Sequence, residues 1–284
     1  MRNDPGPHEA PDYLVVGHVT KDLTPSGPVL GGTAVYAGLT AFMLGMRTCV
    51  VTSTDPDLNL DPLSELEVIS LPSDASTTFE NTYEAGKRSQ ILHAQALPIG
   101  LDAIPETWRS SSILHLAPVA CEVDPTMVAG CSFTLLGITA QGWMRAWDRR
   151  GRVRSCIWND ETSLLQSAGA TIISIEDVAG DEGILKDMAQ HSRLLVVTTA
   201  RHGSRVYWRG ERRDFTAPEV DEIDSTGSGD IFAACFFFHL HQTGDPWEAA
   251  RFANRLAAAS VTRCGLESVP TAEEIETALR SGKP

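Results

Sequence analysis

Apolar residues occur along this chain in short dense blocks, separated by polar and glycine-containing stretches. The block Tyr13-Leu-Val-Val-Gly17 is continuous rather than alternating, which predicts a strand buried on both faces. Residues 31–45 (GGTAVYAGLTAFMLG) carry helical spacing, opened by a glycine pair and closed by a glycine. Residues 48–53 are β-branched and predict a second strand. Residues 77–96 alternate around Ala85-Gly86-Lys87, with Phe79, Tyr83, Ile91 and His93 spaced as in a half-exposed hairpin. Further short apolar strands are expected at 112–116, 133–138, 171–175 and 194–199. From Ser228 onward the pattern turns helical, over 229–241, 246–263 and 271–279. Thr271-Ala-Glu-Glu274 has the spacing of a capping box. Such alternation of strand and helix predicts an α/β fold with a mostly parallel sheet covered on both faces. No repeat or low-complexity linker interrupts it, so one domain over 1–284 with a small antiparallel appendage is expected.

Composition then narrows the partners. The 284 residues are ample for a buried core, and 23 Lys and Arg against 37 Asp and Glu give a net charge of −14. That balance argues against a nucleic-acid surface and against a polybasic membrane anchor. It leaves room for a phosphorylated ligand, which backbone N–H groups and a metal ion hold locally. The N-terminus (MRNDPGPHEAPDY) lacks the apolar core of a secretory signal. The most apolar run, 231–240, falls short of the ~20 residues of a membrane helix. None of the six cysteines forms a C-x-x-C pair, so reduced thiols and a cytoplasmic location are expected. His239 and His241 lie two apart on a predicted helix and point to different faces, so they do not suggest a metal site. Arg145, Arg149, Arg150, Arg152 and Arg154 read as a solvated face.

Chemistry concentrates in Asp224-Ser-Thr-Gly-Ser-Gly-Asp230, immediately before a strongly apolar helix. Small residues let backbone N–H groups converge, and the helix start adds partial positive charge, which together make an anion cradle. Asp230 in the first helical turn is by itself only a favourable charge near the helix dipole. Beside an anion cradle, it is also what phosphoryl transfer needs, a carboxylate to take or orient a hydroxyl proton.

This heptapeptide resembles the C-terminal signature of the ribokinase-like (PfkB) carbohydrate kinases, D-T-x-G-A-G-D, with Ser225 and Ser228 as departures. The resemblance extends along the chain: the first strand, Asp22, the pair Gly31-Gly32, and Leu44-Gly45 at the end of the following helix. Val197-Thr-Thr-Ala-Arg-His-Gly203 is similar to the family's V-T-x-G-x-x-G, with Ala200 in place of the first glycine. No P-loop pattern occurs.

The resemblance implies a ribokinase-like three-layer α/β/α fold with a small β-strand lid, at about 18–30 and 75–97. It implies Asp230 as catalytic base, with Gly227, Ser228 and Gly229 donating to the transferring phosphate. Asp22, Gly31, Gly32, Tyr36, Arg88 and Gln141 fall on the substrate side, and Thr198, Arg201, Gly203 and Asn254 on the nucleotide side. ATP and Mg2+ are the implied cofactors. Asp177 stands where the family's N-x-x-E has its metal-side glutamate, with Ser174 in place of the asparagine. Some members also bind K+ near the signature aspartate, here Asp224.

Tyr36 replaces an asparagine common in sugar kinases of the family, which argues against plain ribose or fructose 6-phosphate. Phe79, Tyr83, Arg88 and Gln90 lie on the lid-like hairpin. Residues 141–148 (QGWMRAWD) are similar to the inositol kinase branch, although Trp143 and Trp147, four apart, also read as one packed helix face. The expected activity is therefore ATP-dependent phosphorylation of a hydroxyl on a small polyol, a sugar or myo-inositol. A nucleoside kinase of the same fold and a non-catalytic binding member remain alternatives, and pairing of two lids would make a homodimer.

Overall fold

The computed structural model describes the backbone of residues 10–84, 87–158 and 161–281 and, apart from 82–88 and 161, their side chains. The chain opens with β1 (Tyr13–Val16), the hairpin β2 (Thr20–Thr24) and β3 (Gly27–Gly31), α1 (Thr33–Met43), β4 (Thr48–Thr54) and β5 (Glu67–Pro72). It continues through β6 (Thr78–Glu84), β7 (Lys87–Ala94), β8 (Ser110–Leu116), β9 (Ser132–Thr139), β10 (Arg145–Trp147), β11 (Val153–Ser155), α2 (Glu161–Ser167) and β12 (Ala170–Ser174). The last elements are α3 (Glu182–His191), β13 (Leu194–Thr198), β14 (Ser204–Trp208), β15 (Glu211–Phe215), α4 (Ser228–Thr243), α5 (Pro246–Ser260) and α6 (Ala272–Arg280).

Nine strands form one sheet in the order β15-β14-β13-β12-β9-β8-β1-β4-β5. From β13 to β5 every pairing is parallel, and β14 and β15 add antiparallel at one edge. The continuous apolar blocks explain this directly. Tyr13 and Val15 enter the core beneath α1, α4 and α5, while Leu14 and Val16 enter the opposite core with α2 and α3. A strand covered on both faces has no polar side to offer. The edge strand β15 reads Glu-Arg-Arg-Asp-Phe, and those exposed charges disfavour pairing with another chain.

A second sheet, β3-β2-β6-β7, stands apart from the first. The expected hairpin is found as β6 and β7, with its turn, Ala85 and Gly86, outside the described residues. The root of this sheet is a buried clasp. One ring nitrogen of His18 pairs with Thr77 Oγ1 at 2.6 Å and the other with the Leu97 carbonyl at 2.9 Å. The His18 N–H donates to Glu122, whose fully enclosed carboxylate also accepts from Val119 N–H at 3.0 Å and Ala120 N–H at 2.7 Å. One side chain thus ties the ends of β1 and β8 together where the site begins.

The Trp143–Trp147 helix face is not formed. Trp143 lies in a short 3-10 turn and stacks on Trp158 at 4.9 Å, whereas Trp147 is in β10. Gly151, at φ +76°, turns the chain between β9 and α2 back on itself, so Arg145–Trp147 pairs with Val153–Ser155 as the β10–β11 hairpin instead.

Beneath α4 lies a buried polar chain. Tyr13 Oη pairs with His115 Nδ1 at 2.8 Å, and His115 Nε2 with Thr139 Oγ1 at 3.0 Å. Burial pushes the His115 imidazolium down to about 3 from an ordinary 6.5. Between these values the unfolded chain binds a proton that the folded chain refuses. His115 therefore contributes stability above pH 6.5 that is lost as the pH falls towards about 3. Urea unfolding at pH 7, 6, 5 and 4 should show stability declining with acid, and more shallowly in His115→Gln. Identical slopes in the two proteins would remove this assignment.

Candidate active site

One cavity of about 1000 Å³ opens where the sheet's C-terminal strand ends meet the second sheet. Ligand crevices in open α/β sheets form at this edge, because the loops after the strands are free to diverge there. Val119, Gln141, Ser174 and Thr198 reach the cavity from the ends of β8, β9, β12 and β13.

At its centre is the start of α4. Gly227 caps the helix in a left-handed conformation, φ +78°, and the ring of Tyr36 packs where a Cβ would stand. The Ser228 amide is already used by the Ser225 carbonyl at 3.2 Å, so this expected phosphate donor belongs to the turn. The amides of Gly229 and Asp230 follow in the first turn of the helix, where the partial positive charge of the helix start favours an anion. Asp230 lines the cavity, and its Oδ1 accepts a hydrogen bond from Thr33 Oγ1 at 2.7 Å.

On the lid side the cavity is lined by Asp22, Gly32, Tyr36, Phe79, Gln90, Gln141 and Arg145. Gly31 is not itself a lining residue; it makes room for the Asp22 carboxylate, which a Cβ there would overlap. Thr20 Oγ1 donates to Asp22 Oδ1 at 2.8 Å. The Tyr36 phenol is pushed up, first by burial and then by the carboxylates of Asp230, Asp22 and Asp224, so it is a neutral donor at physiological pH. Arg145 leaves the solvated arginine face expected of it. It donates to the Val119 carbonyl at 3.1 Å and lies 5.7 Å from the Phe79 ring centre. The Arg88 side chain lies outside the described residues.

On the other side Thr198, Arg201, Gly203 and Asn254 line the same cavity, as the sequence leads one to expect. Asn254 is buried, and its Nδ2 donates to Ser204 Oγ at 3.0 Å and the Phe215 carbonyl at 3.3 Å. It therefore fixes the wall. Ala217, Pro218, Val220, Ala257 and Val261 extend this side into an arm of apolar side chains, with the acidic Glu219, Asp221 and Glu222 interleaved along it.

The two expected metal-side carboxylates are engaged with the protein. Asp177 accepts from the Ser174 amide at 2.8 Å and from Gln141, and burial raises its pKa. Its neighbour Glu176 is the one that lines the cavity. Asp224 accepts from the amides of Thr226 at 2.9 Å and Gly265 at 3.2 Å. Among the described residues no group of three or more His, Cys, Asp or Glu side chains converges to hold a metal ion. The donor set, a helix start with Glu176 on the wall of the same cavity, fits a magnesium ion carried by polyphosphate and water better than a dedicated protein cage. No helix among the described residues is long and apolar enough to cross a membrane.

Known proteins resemble this chain in sequence and fold. Residues 164–272 match the model of the pfkB family carbohydrate kinases. The chain is 29% identical over 193 residues to a fructokinase of Escherichia coli, covering 60% of this chain and 62% of that one. It is 30% identical over 158 residues to inositol 3-kinase of Zea mays, covering 54% and 40%. The matches thus span less than two thirds of these curated relatives. Among solved structures, a pyrophosphate-dependent kinase in the ribokinase family, complexed with a pyrophosphate analogue and myo-inositol, superposes with a TM-score of 0.79. It is 19% identical, and the match covers 93% of this chain and 99% of that one. The three-layer ribokinase fold is the fold of this chain, and the resemblance read from its motifs is borne out.

Proposed function

We propose, from the premise that this chain is a ribokinase-fold protein with a pfkB-type C-terminal segment, that it is an ATP-dependent kinase acting on a hydroxyl of a small neutral polyol. The observation that carries the reading is one continuous cavity. It runs from Asp22 and Tyr36 at one end to an apolar arm at the other, with the α4 start and Asp230 between them. An acceptor and a donor bound at its two ends would meet at Asp230.

In this reading the acceptor's hydroxyls bond to Asp22 and Gln141, with Tyr36 and Phe79 as walls. Asp230 takes the proton of the attacking hydroxyl as a new O–P bond forms, the donor's bridging O–P bond breaks, and ADP leaves with the electron pair. The amides of Gly229 and Asp230 donate to the phosphoryl oxygens. Mg2+ would supply charge neutralisation on the donor phosphates, and Glu176, on the cavity wall, would help hold its water. The apolar arm suits a purine ring, and Arg201 suits the adjoining phosphates. A neutral acceptor is favoured because Asp22 and Asp230 outweigh Arg145 on that side.

A pyrophosphate donor is the second reading, since a protein of the same fold uses one. A bare pyrophosphate would leave the apolar arm without a role. Steady-state assays with ATP or pyrophosphate against sugars, myo-inositol and nucleosides decide between these. The reading expects a phosphomonoester formed from ATP and a sugar or cyclitol. Preference for pyrophosphate, or for nucleosides, would redirect it, and donor binding with no product would favour a non-catalytic role. Two finer parts belong to the same proposal. K+ near Asp224 should show as a rate rise with KCl at fixed ionic strength, and pairing through the second sheet should show as a dimer in sedimentation.

A further inference from the structure

Thr33 is the first residue of α1 and directly follows the Gly31-Gly32 pair. Its side chain is 2% exposed, and it is turned away from its own helix: Gly32, not Thr33, is the N-cap, and no side chain caps α1. The hydroxyl instead crosses to α4 and donates to Asp230 Oδ1 at 2.7 Å. A β-branched side chain at a helix start has few rotamers, so this donor is held in place by its own backbone. A carboxylate is planar, so fixing one oxygen fixes the direction of the other.

We propose that Thr33 is a positioning residue for Asp230. It orients the carboxylate towards the acceptor hydroxyl and favours its ionised form, and it couples the glycine pair of the acceptor side to the base. The proposal rests on the kinase reading above. Other titratable groups face this carboxylate as well. Tyr13 from β1 and Tyr36 from α1 lie within electrostatic reach of Asp230, and Tyr36 is also within reach of Asp22 from β2 and Asp224 before α4. All of these are acids. Arg145 and Arg201, which also line the cavity, come from the start of β10 and the loop after β13.

The test uses Thr33→Val, which keeps shape and removes the donor, and Thr33→Ser, which keeps the donor. On the acceptor that the wild type phosphorylates, Thr33→Val should lower kcat about ten- to a hundredfold, the scale of a lost hydrogen bond to a charged group. The KM for ATP should stay within about twofold and Thr33→Ser should recover most of the rate. In carbon-detected NMR, the Asp230 carboxyl titration should move up in Thr33→Val, because the bond favours the charged form. A purely structural tie between α1 and α4 would lower thermal stability in Thr33→Val and leave kcat and the titration alone. Full rate with an unmoved titration overturns the proposal and leaves the kinase reading standing. A wild type that phosphorylates no acceptor overturns both.

Discussion

Asp230→Asn folds as the wild type does and loses phosphoryl transfer by about 10²–10⁴-fold, the range for removing a positioned base. The amide is nearly isosteric, and its oxygen can still accept from Thr33 Oγ1, so the local packing has no reason to change. What disappears is the capacity to take a proton. The effect should fall on kcat, with KM for donor and acceptor little altered, because the interaction strengthens only as the hydroxyl ionises. Steady-state kinetics beside a thermal melt checks this. A variant within threefold of the wild-type rate would remove Asp230 from the role.

The second large effect is expected at Gly227. Its φ of +78° lies in the left-handed region, where a residue with a Cβ pays roughly 1–2 kcal/mol. The new Cβ would also overlap the Tyr36 ring, which is itself buried. Gly227→Ala should therefore lower the melting temperature by several degrees, since about 1 kcal/mol moves a chain of this size by a few degrees. It should also cost at least tenfold in rate, because the α4 amides are displaced from the transferring phosphoryl group. The two causes separate in a double variant. Gly227→Ala with Tyr36→Leu relieves the overlap but not the strained φ, so it should regain part of the lost stability. Additive losses in the double variant would show that the ring contact is not the cause.

The contrast between what spacing reveals and what it hides is plain at these positions. The parallel sheet is readable because blocks such as 13–16 must be apolar on both faces. The cradle is readable because its geometry is backbone geometry, written in the Gly-Ser-Gly run and the helix it opens. Side-chain direction at a strand end is not written that way. Asp177 stands at the position a motif match selects, yet it folds back onto the Ser174 amide and Gln141, while Glu176 takes the cavity. Arg145 sits in an arginine run whose other members are exposed, and only the β10–β11 hairpin turns it inward. Thr33 carries a signal in its place after the glycine pair, but its partner is 197 residues away. The β14–β15 hairpin escapes the alternation argument because its exposed strand is charged, as an edge strand can be.

The account's central claim is that acceptor and donor meet at Asp230 within one cavity. The most direct measurement is a crystal structure of the wild-type protein with a non-hydrolysable ATP analogue, Mg2+ and the acceptor identified by assay. The account predicts an acceptor hydroxyl within hydrogen-bond distance of the Asp230 carboxylate, in line with the terminal phosphorus. It also predicts phosphoryl oxygens on the amides of Gly229 and Asp230, and the purine in the arm by Ala217 and Val261. An acceptor bound away from Asp230, or a terminal phosphate held elsewhere than at the start of α4, would contradict it.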